Sequence, residues 1–124
     1  MRHKTKLSVN WRRMTYSKLK NFKEDQQSLA KLAKALSHPA RIAILQYLAL
    51  QKSCISGDIS REIPLSRTTV SQHLQELKEA GLIDGEVTGV KVCYCINAEA
   101  LMKCRQLLEC FLKSISEYKQ TVCQ

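Results

Sequence analysis

The clearest hydrophobic pattern lies between Ser66 and Ile83. Val70, Leu74 and Leu77 recur at helical spacing and make one apolar face. Arg67, Thr68, Ser71, Gln72 and Gln75 fall on other faces, and each can hydrogen-bond. Ser66 suits an N-cap and Gly81 a stop, so the spacing predicts a helix between them. Upstream, Leu19, Phe22, Leu29, Leu32 and Leu36 predict a first helix from about Ser17 to Leu36. Ser37-His38-Pro39 interrupts it, with His38 read as a cap. Pro39 suits the first turn of a second helix, which runs through Arg41 to about Leu50 with Ile42, Leu45 and Leu48 inward. Ser56 to Glu62 reads as a short third helix, and Ile63 to Ser66 as the turn into the fourth.

After Gly81 the period drops from about 3.6 to about 2. Val87 precedes a turn signal at Thr88-Gly89, and Val90 to Ile96 then alternate. Val90, Val92, Tyr94 and Ile96 point one way, while Lys91, Cys93 and Cys95 point the other. Asn97 caps a last helix to about Lys119, whose apolar stripe is Leu101, Cys104, Leu108, Phe111, Leu112, Ile115 and Tyr118. The fold expected is mainly α with a small β-hairpin: a single-domain winged helix-turn-helix. The long stripe on the last helix needs a cover, so dimerisation through the first and last helices is expected.

Composition adds limits. A chain of 124 residues with 44% hydrophobic content can build one core, yet is short enough to gain from pairing with a second copy. No apolar run reaches membrane-spanning length and no secretory signal opens the chain, so a cytoplasmic protein with no membrane partner is expected. The net charge of +9 is concentrated at the front. Arg2, Lys4, Lys6, Arg12, Arg13, Lys18, Lys20 and Lys23 precede the first acid, Glu24, after which bases and acids nearly balance. The organisation expected is a basic flexible arm over 1–16, a DNA-binding and dimerisation domain over 17–120, and a tail over 121–124. The arm can grip phosphates. It reads equally as a solvated tail, or as sequence ahead of a true start at Met14. No nucleophile–base constellation or phosphate loop is present, so an enzyme is not expected.

An exposed helix with short polar side chains near its N-terminus suits the major groove of double-stranded DNA. Ser66, Arg67, Thr68, Thr69, Ser71, Gln72 and His73 are the candidate contacts, with Lys91 of the wing on backbone phosphate. A two-fold dimer would favour an operator that is an imperfect inverted repeat.

Six cysteines, Cys54, Cys93, Cys95, Cys104, Cys110 and Cys123, form the second candidate chemistry. Alternation puts Cys93 and Cys95 on one face of a strand, with Cα atoms roughly 6.5–7 Å apart. Two such thiolates can tilt toward one soft ion at metal–sulfur distances of about 2.3 Å. Cys104, Cys110 or Cys123 could add a third thiol. The other readings are a reversible disulfide and, for Cys104 and Cys54, plain packing. No tightly bound cofactor is expected, only arsenite or a soft metal ion as an inducer.

Four segments carry a family resemblance. Leu36-Ser37-His38-Pro39-Ala40-Arg41-Ile42-Ala43-Ile44-Leu45 resembles the opening signature of the ArsR/SmtB family of small metal- and arsenic-responsive repressors. Leu65-Ser66-Arg67-Thr68-Thr69-Val70-Ser71-Gln72-His73-Leu74 resembles its recognition helix. Glu79 to Ile83 and Gly89 to Ile96 resemble its wing, so the likeness spans about residues 28–118. The resemblance implies a homodimeric winged helix-turn-helix repressor that leaves its operator when an inducer binds. It does not supply the sensor. Where thiol-sensing members place Cys-x-Cys before an acid, this chain has Ile55 and Gly57 before Asp58, with Cys54 one residue early. The zinc-sensing pattern on the last helix meets Ala98, Ala100, Cys110 and Lys113. The function expected is a sequence-specific repressor released by a thiol-reactive inducer. A redox- or sulfide-responsive regulator and an inducer-free architectural DNA-binding protein are the alternatives.

Overall fold

Three helices each bury one stripe in a common core, and the capping residues between them decide which stripe. The computed structural model describes residues 19–51, 55–56, 59–88 and 91–117. The expected arm over 1–16, the tail over 121–124, and Cys54, Cys123, Gly89 and Val90 lie outside them.

Helix α1 (Glu24–Ala35) follows a single 3-10 turn at Leu19–Asn21. The continuous helix expected from Ser17 is broken at Phe22 and Lys23. Gln26 Oε1 accepts from the Lys23 N–H at 3.0 Å, and Gln27 Nε2 donates to the Phe22 carbonyl at 2.8 Å. Those side chains occupy backbone groups at the helix start, and Glu24 and Asp25 in the first turn suit the helix dipole. Helix α2 (Pro39–Leu50) starts as expected: Pro39 occupies the first turn and His38 Nδ1 accepts from the Ala40 N–H at 3.0 Å. Its inward face differs from the expectation. Ala40, Ile44 and Leu48, spaced by four, are buried, whereas Ile42 is exposed. The start at Pro39 sets that phase.

The expected third helix over Ser56–Glu62 is not formed. Its place is taken by a two-residue strand β1 (Ile55–Ser56) and a 3-10 turn at Ile59–Arg61. Ser56 is extended because β1 pairs antiparallel with a later strand, and the buried side chains of Ile59 and Ile63 pin what remains. Helix α3 (Arg67–Glu79) then runs to a Schellman stop. Gly81, at φ 80°, lets its own N–H reach the Lys78 carbonyl at 3.0 Å and the Leu82 N–H reach the Leu77 carbonyl at 3.1 Å. Leu77 and Leu82 are both buried, which supplies the hydrophobic contact of that motif.

Strands β2 (Ile83–Thr88) and β3 (Lys91–Ile96) form the hairpin, with register Ile83↔Ile96 through Thr88↔Lys91. The sheet has three strands rather than two, in the order β1-β3-β2, so β3 is central. Helix α4 (Ala98–Ser116) begins where Asn97 Oδ1 accepts from the Ala100 N–H at 3.1 Å, and it packs along α1. The core joins Leu32, Ile44, Leu48, Val70, Leu74, Leu77 and Ile83 with their neighbours. Among the described residues no helix is long and apolar enough to cross a membrane.

Candidate nucleic-acid interface

The surface of α3 is organised by its cap and its buried stripe. Ser66 Oγ accepts from the Thr69 N–H at 3.3 Å and shares a hydrogen bond of 2.8 Å with Thr69 Oγ1. The helix start is thus fixed by two of the candidate residues themselves. Val70, Leu74 and Leu77 pack inward at 2%, 5% and 0% exposure. That fixes the rotation of the helix and leaves Thr68, Ser71 and Gln72 exposed on the outer side, with Arg67 exposed at the first helical position. Gln75 extends the same face and donates to Glu79 at 3.1 Å. A row of guanidinium, hydroxyl and amide groups at a helix N-terminus can hydrogen-bond base edges and phosphates. Lys91 opens β3 beside the hairpin tip, with Thr88 as its backbone partner across the hairpin.

His73 does not stand on that face. At about 100° per residue it lies roughly 170° round the helix from the centre of the Arg67–Gln75 row. It is half-buried, and its Nδ1 accepts from Arg41 Nε at 3.1 Å. The His38 ring lies 4.3 Å away, centroid to centroid. Burial, His38 and Arg41 together hold the His73 imidazole below the ordinary histidine range, against a smaller opposing pull from Glu76. Position 73 follows Val70 by three and precedes Leu77 by four. That spacing is the sequence signal that assigns it to the inner stripe.

The candidate sensor cysteines are only partly brought together. Tyr94 and Ile96 pack against the core, so Cys93 and Cys95 take the other face of β3, half-buried rather than exposed. Across the hairpin they face Glu86 and Asp84. Cys104 lies on α4 against the core, and burial pushes its thiol above the ordinary range, which lowers its thiolate fraction at neutral pH. Cys110 is exposed further along α4. Among the described residues no three His, Cys, Asp or Glu groups gather closely enough to hold a metal ion. The four cysteines therefore do not make one ready-formed site within a single chain.

Helix α4 leaves its apolar stripe uncovered. Leu101, Leu108, Phe111, Leu112 and Ile115 are all exposed. Together with α1 and α2 the helix lines an apolar groove of about 550 Å³, floored by residues such as Leu32, Leu36 and Leu45.

Comparison with known proteins places this geometry. The family model described as "Helix-turn-helix domain" matches residues 36–86, which run from the end of α1 through α3 into β2. The HTH-type transcriptional regulator YgaV of Escherichia coli (strain K12) is 33% identical over 85 residues, covering 68% of this chain and 86% of YgaV. The HTH-type transcriptional repressor SmtB of Mycobacterium tuberculosis (strain ATCC 25618 / H37Rv) is 35% identical over 72 residues, 58% of this chain and 53% of SmtB. Among solved structures, an ArsR-like transcriptional regulator from Rhodococcus sp. RHA1 superposes with a TM-score of 0.57 at 25% identity, covering 77% of this chain and 95% of its own. The signature around His38-Pro39, the helix over Arg67–Glu79 and the wing that follows it fall in the same order in sequence and in structure. The chain belongs to the ArsR/SmtB family of winged helix-turn-helix, DNA-binding transcriptional regulators.

Proposed function

We propose that the protein is a homodimeric repressor that reads an imperfect inverted repeat with α3 and is released by a thiol-reactive inducer. One observation carries the DNA reading: α3 buries its apolar stripe completely while holding Arg67, Thr68, Ser71 and Gln72 on the outside. Arg67 and Gln72 suit base edges, Ser66, Thr68, Thr69 and Ser71 suit bases or phosphates, and Lys91 suits the backbone beside the wing. The uncovered stripe on α4 supports the dimer, which would use α1 and α4 of both copies. The basic arm over 1–16 would add phosphate contacts without sequence preference.

The inducer is an arsenite-type metalloid or a soft metal ion acting through Cys93 and Cys95. Both thiols share one face of β3, and that strand leads through the Asn97 cap straight into α4. Cys110, exposed on α4, is the better third donor, since burial disfavours the Cys104 thiolate.

Selection of duplexes from a random library tests the DNA reading. The purified protein should enrich an inverted repeat with half-sites about 10–10.5 bp apart, or a multiple of that spacing. Enrichment of no sequence would overturn it. For the inducer, arsenite added to the complex should release the selected duplex from wild type but not from the Cys93→Ser/Cys95→Ser variant. Full release from that variant would move the sensor elsewhere. Release by a thiol oxidant alone would make the protein a redox regulator, and release by neither would favour the architectural reading.

A further inference from the structure

We infer that Arg41 and His73 are positioning residues for DNA recognition: they lock α3 to the junction between α1 and α2, and the lock opens when His73 takes up a proton. The inference rests on the reading of α3 as the recognition helix.

The lock is built from three helices. Arg41 lies in the first turn of α2, where the helix dipole disfavours a cation, so its place is set by partners outside its own helix. Those partners are well matched to a guanidinium. One Nη1 nitrogen lies 3.3 Å from both the Lys34 and the Ala35 carbonyls, the last of α1. Such terminal carbonyls have no partner within their own helix and carry partial negative charge, and that of Lys34 also accepts from the Ser37 N–H at 3.2 Å and the Ser37 hydroxyl at 2.6 Å. The Nε–H of the same guanidinium donates to His73 Nδ1 on α3 at 3.1 Å. A single side chain on α2 thereby ties the end of α1 to the back of α3, opposite the exposed Arg67–Gln72 face.

The chemistry of that third bond makes it proton-sensitive. Arginine only donates, so His73 Nδ1 must present a lone pair, and its proton sits on Nε2. A second proton would have to enter at Nδ1, where a donor already points. It would place two cations in contact and break the bond. His38 leans on the same ring with its own Nδ1 committed to the Ala40 N–H. The charged and titratable groups that act on His73 are His38 and Arg41 from the α1–α2 junction and Glu76 from α3 itself. Only Glu76 favours the protonated ring. Above the ordinary histidine range the lock is closed, and it opens as pH falls through the depressed titration of His73.

Two readouts test this. The first needs no DNA. In protein labelled at histidine and arginine, the Arg41 Nε–H resonance should move in step with the His73 ring titration, together with the amides of α3. A resonance that stays fixed while His73 titrates would overturn the inference. The second reads affinity for the duplex selected at pH 7.5 by wild type. As pH is lowered from about 7.5, wild-type affinity should fall, by about tenfold once the His73 ring resonance shows full protonation, the scale of one hydrogen bond to a charged group. His73→Asn keeps an acceptor that takes up no proton, and its fall over the same range should be twofold or less by this ~tenfold measure. Arg41→Lys keeps the charge without the forked geometry and should also flatten the profile. Wild type and His73→Asn falling in parallel would overturn the inference. Failure of wild type to select any duplex would instead overturn the reading of α3, while the resonance measurement still judges the lock.

Discussion

Helices α3 and α4 are both amphipathic, but only α3 is completed within one chain. In α3 the apolar stripe is packed away, with Leu77 at 0% exposure, and what remains outside is polar. In α4 no residue is buried over its 19 positions, and Phe111 stands at 43% exposure. The difference separates two kinds of surface. A polar face over a packed stripe is stable in water and available to a hydrogen-bonding partner. An apolar face over a groove is costly in water until a similar surface covers it. The proposed DNA contacts and the proposed self-association thus fall on different helices, joined by the sheet between them.

Substitutions on the two helices should therefore fail differently. The largest effect belongs to the packed stripe. Leu77→Ala should cost about 2–5 kcal/mol of folding stability by denaturant unfolding, because it opens a cavity under α3. A midpoint like that of wild type would mean that α3 does not rest on this core. Next comes the uncovered stripe. Leu108→Glu should remain folded by circular dichroism but sediment as a monomer, having lost at least about 1.5–3 kcal/mol of apolar burial in the dimer. A dimer as tight as wild type would place the interface elsewhere.

Smaller effects compare the two helix starts. Ser66 and Asn97 each accept from the backbone N–H three residues on. Ser66→Ala and Asn97→Ala should each lose about 1 kcal/mol in thermal or denaturant unfolding, with Ser66→Asp restoring most of it. No loss at either position would show that packing alone holds that helix start. The smallest effect is confined to α3. The folded-state proton affinity of His73 is depressed, so its contribution to stability is fully present above the ordinary histidine range. That contribution is lost as pH falls through the lower folded-state titration. Unfolding free energy measured across this window should slope downward toward acid in wild type and be flatter in His73→Asn. Equal slopes would assign the dependence to another group.

Much of α3 was legible in the sequence because its determinants are local. Val70, Leu74 and Leu77 set the face, Ser66 the start and Gly81 the left-handed stop, and all act within a few residues. Asn97 and His38-Pro39 were legible for the same reason. What the pattern missed depends on contacts distant in the chain. Ser56 reads as helix until β3 supplies a strand partner for it. Ile42 and Ile44 are equally apolar, and only the helix start at Pro39 and the packing of α3 decide that Ile44 goes inward. His73 reads as a DNA contact from its place beside Gln72, but its spacing from Val70 and Leu77 turns it toward the inner stripe, and Arg41, 32 residues away, holds it there. Alternation puts Cys93 and Cys95 on one face, but it does not reveal that they are half-buried or that β3 is the central strand.

The proposed reading of DNA stands or falls on the outward face of α3. The most direct measurement is the base preference of Gln72→Ala and Arg67→Ala at every position of the duplex selected by wild type, at fixed salt. Each variant should lose about 1–3 kcal/mol of discrimination at symmetry-related positions in the two half-sites and keep wild-type preference elsewhere. If both variants bind that duplex with wild-type affinity and wild-type preference, α3 is not the element that reads DNA.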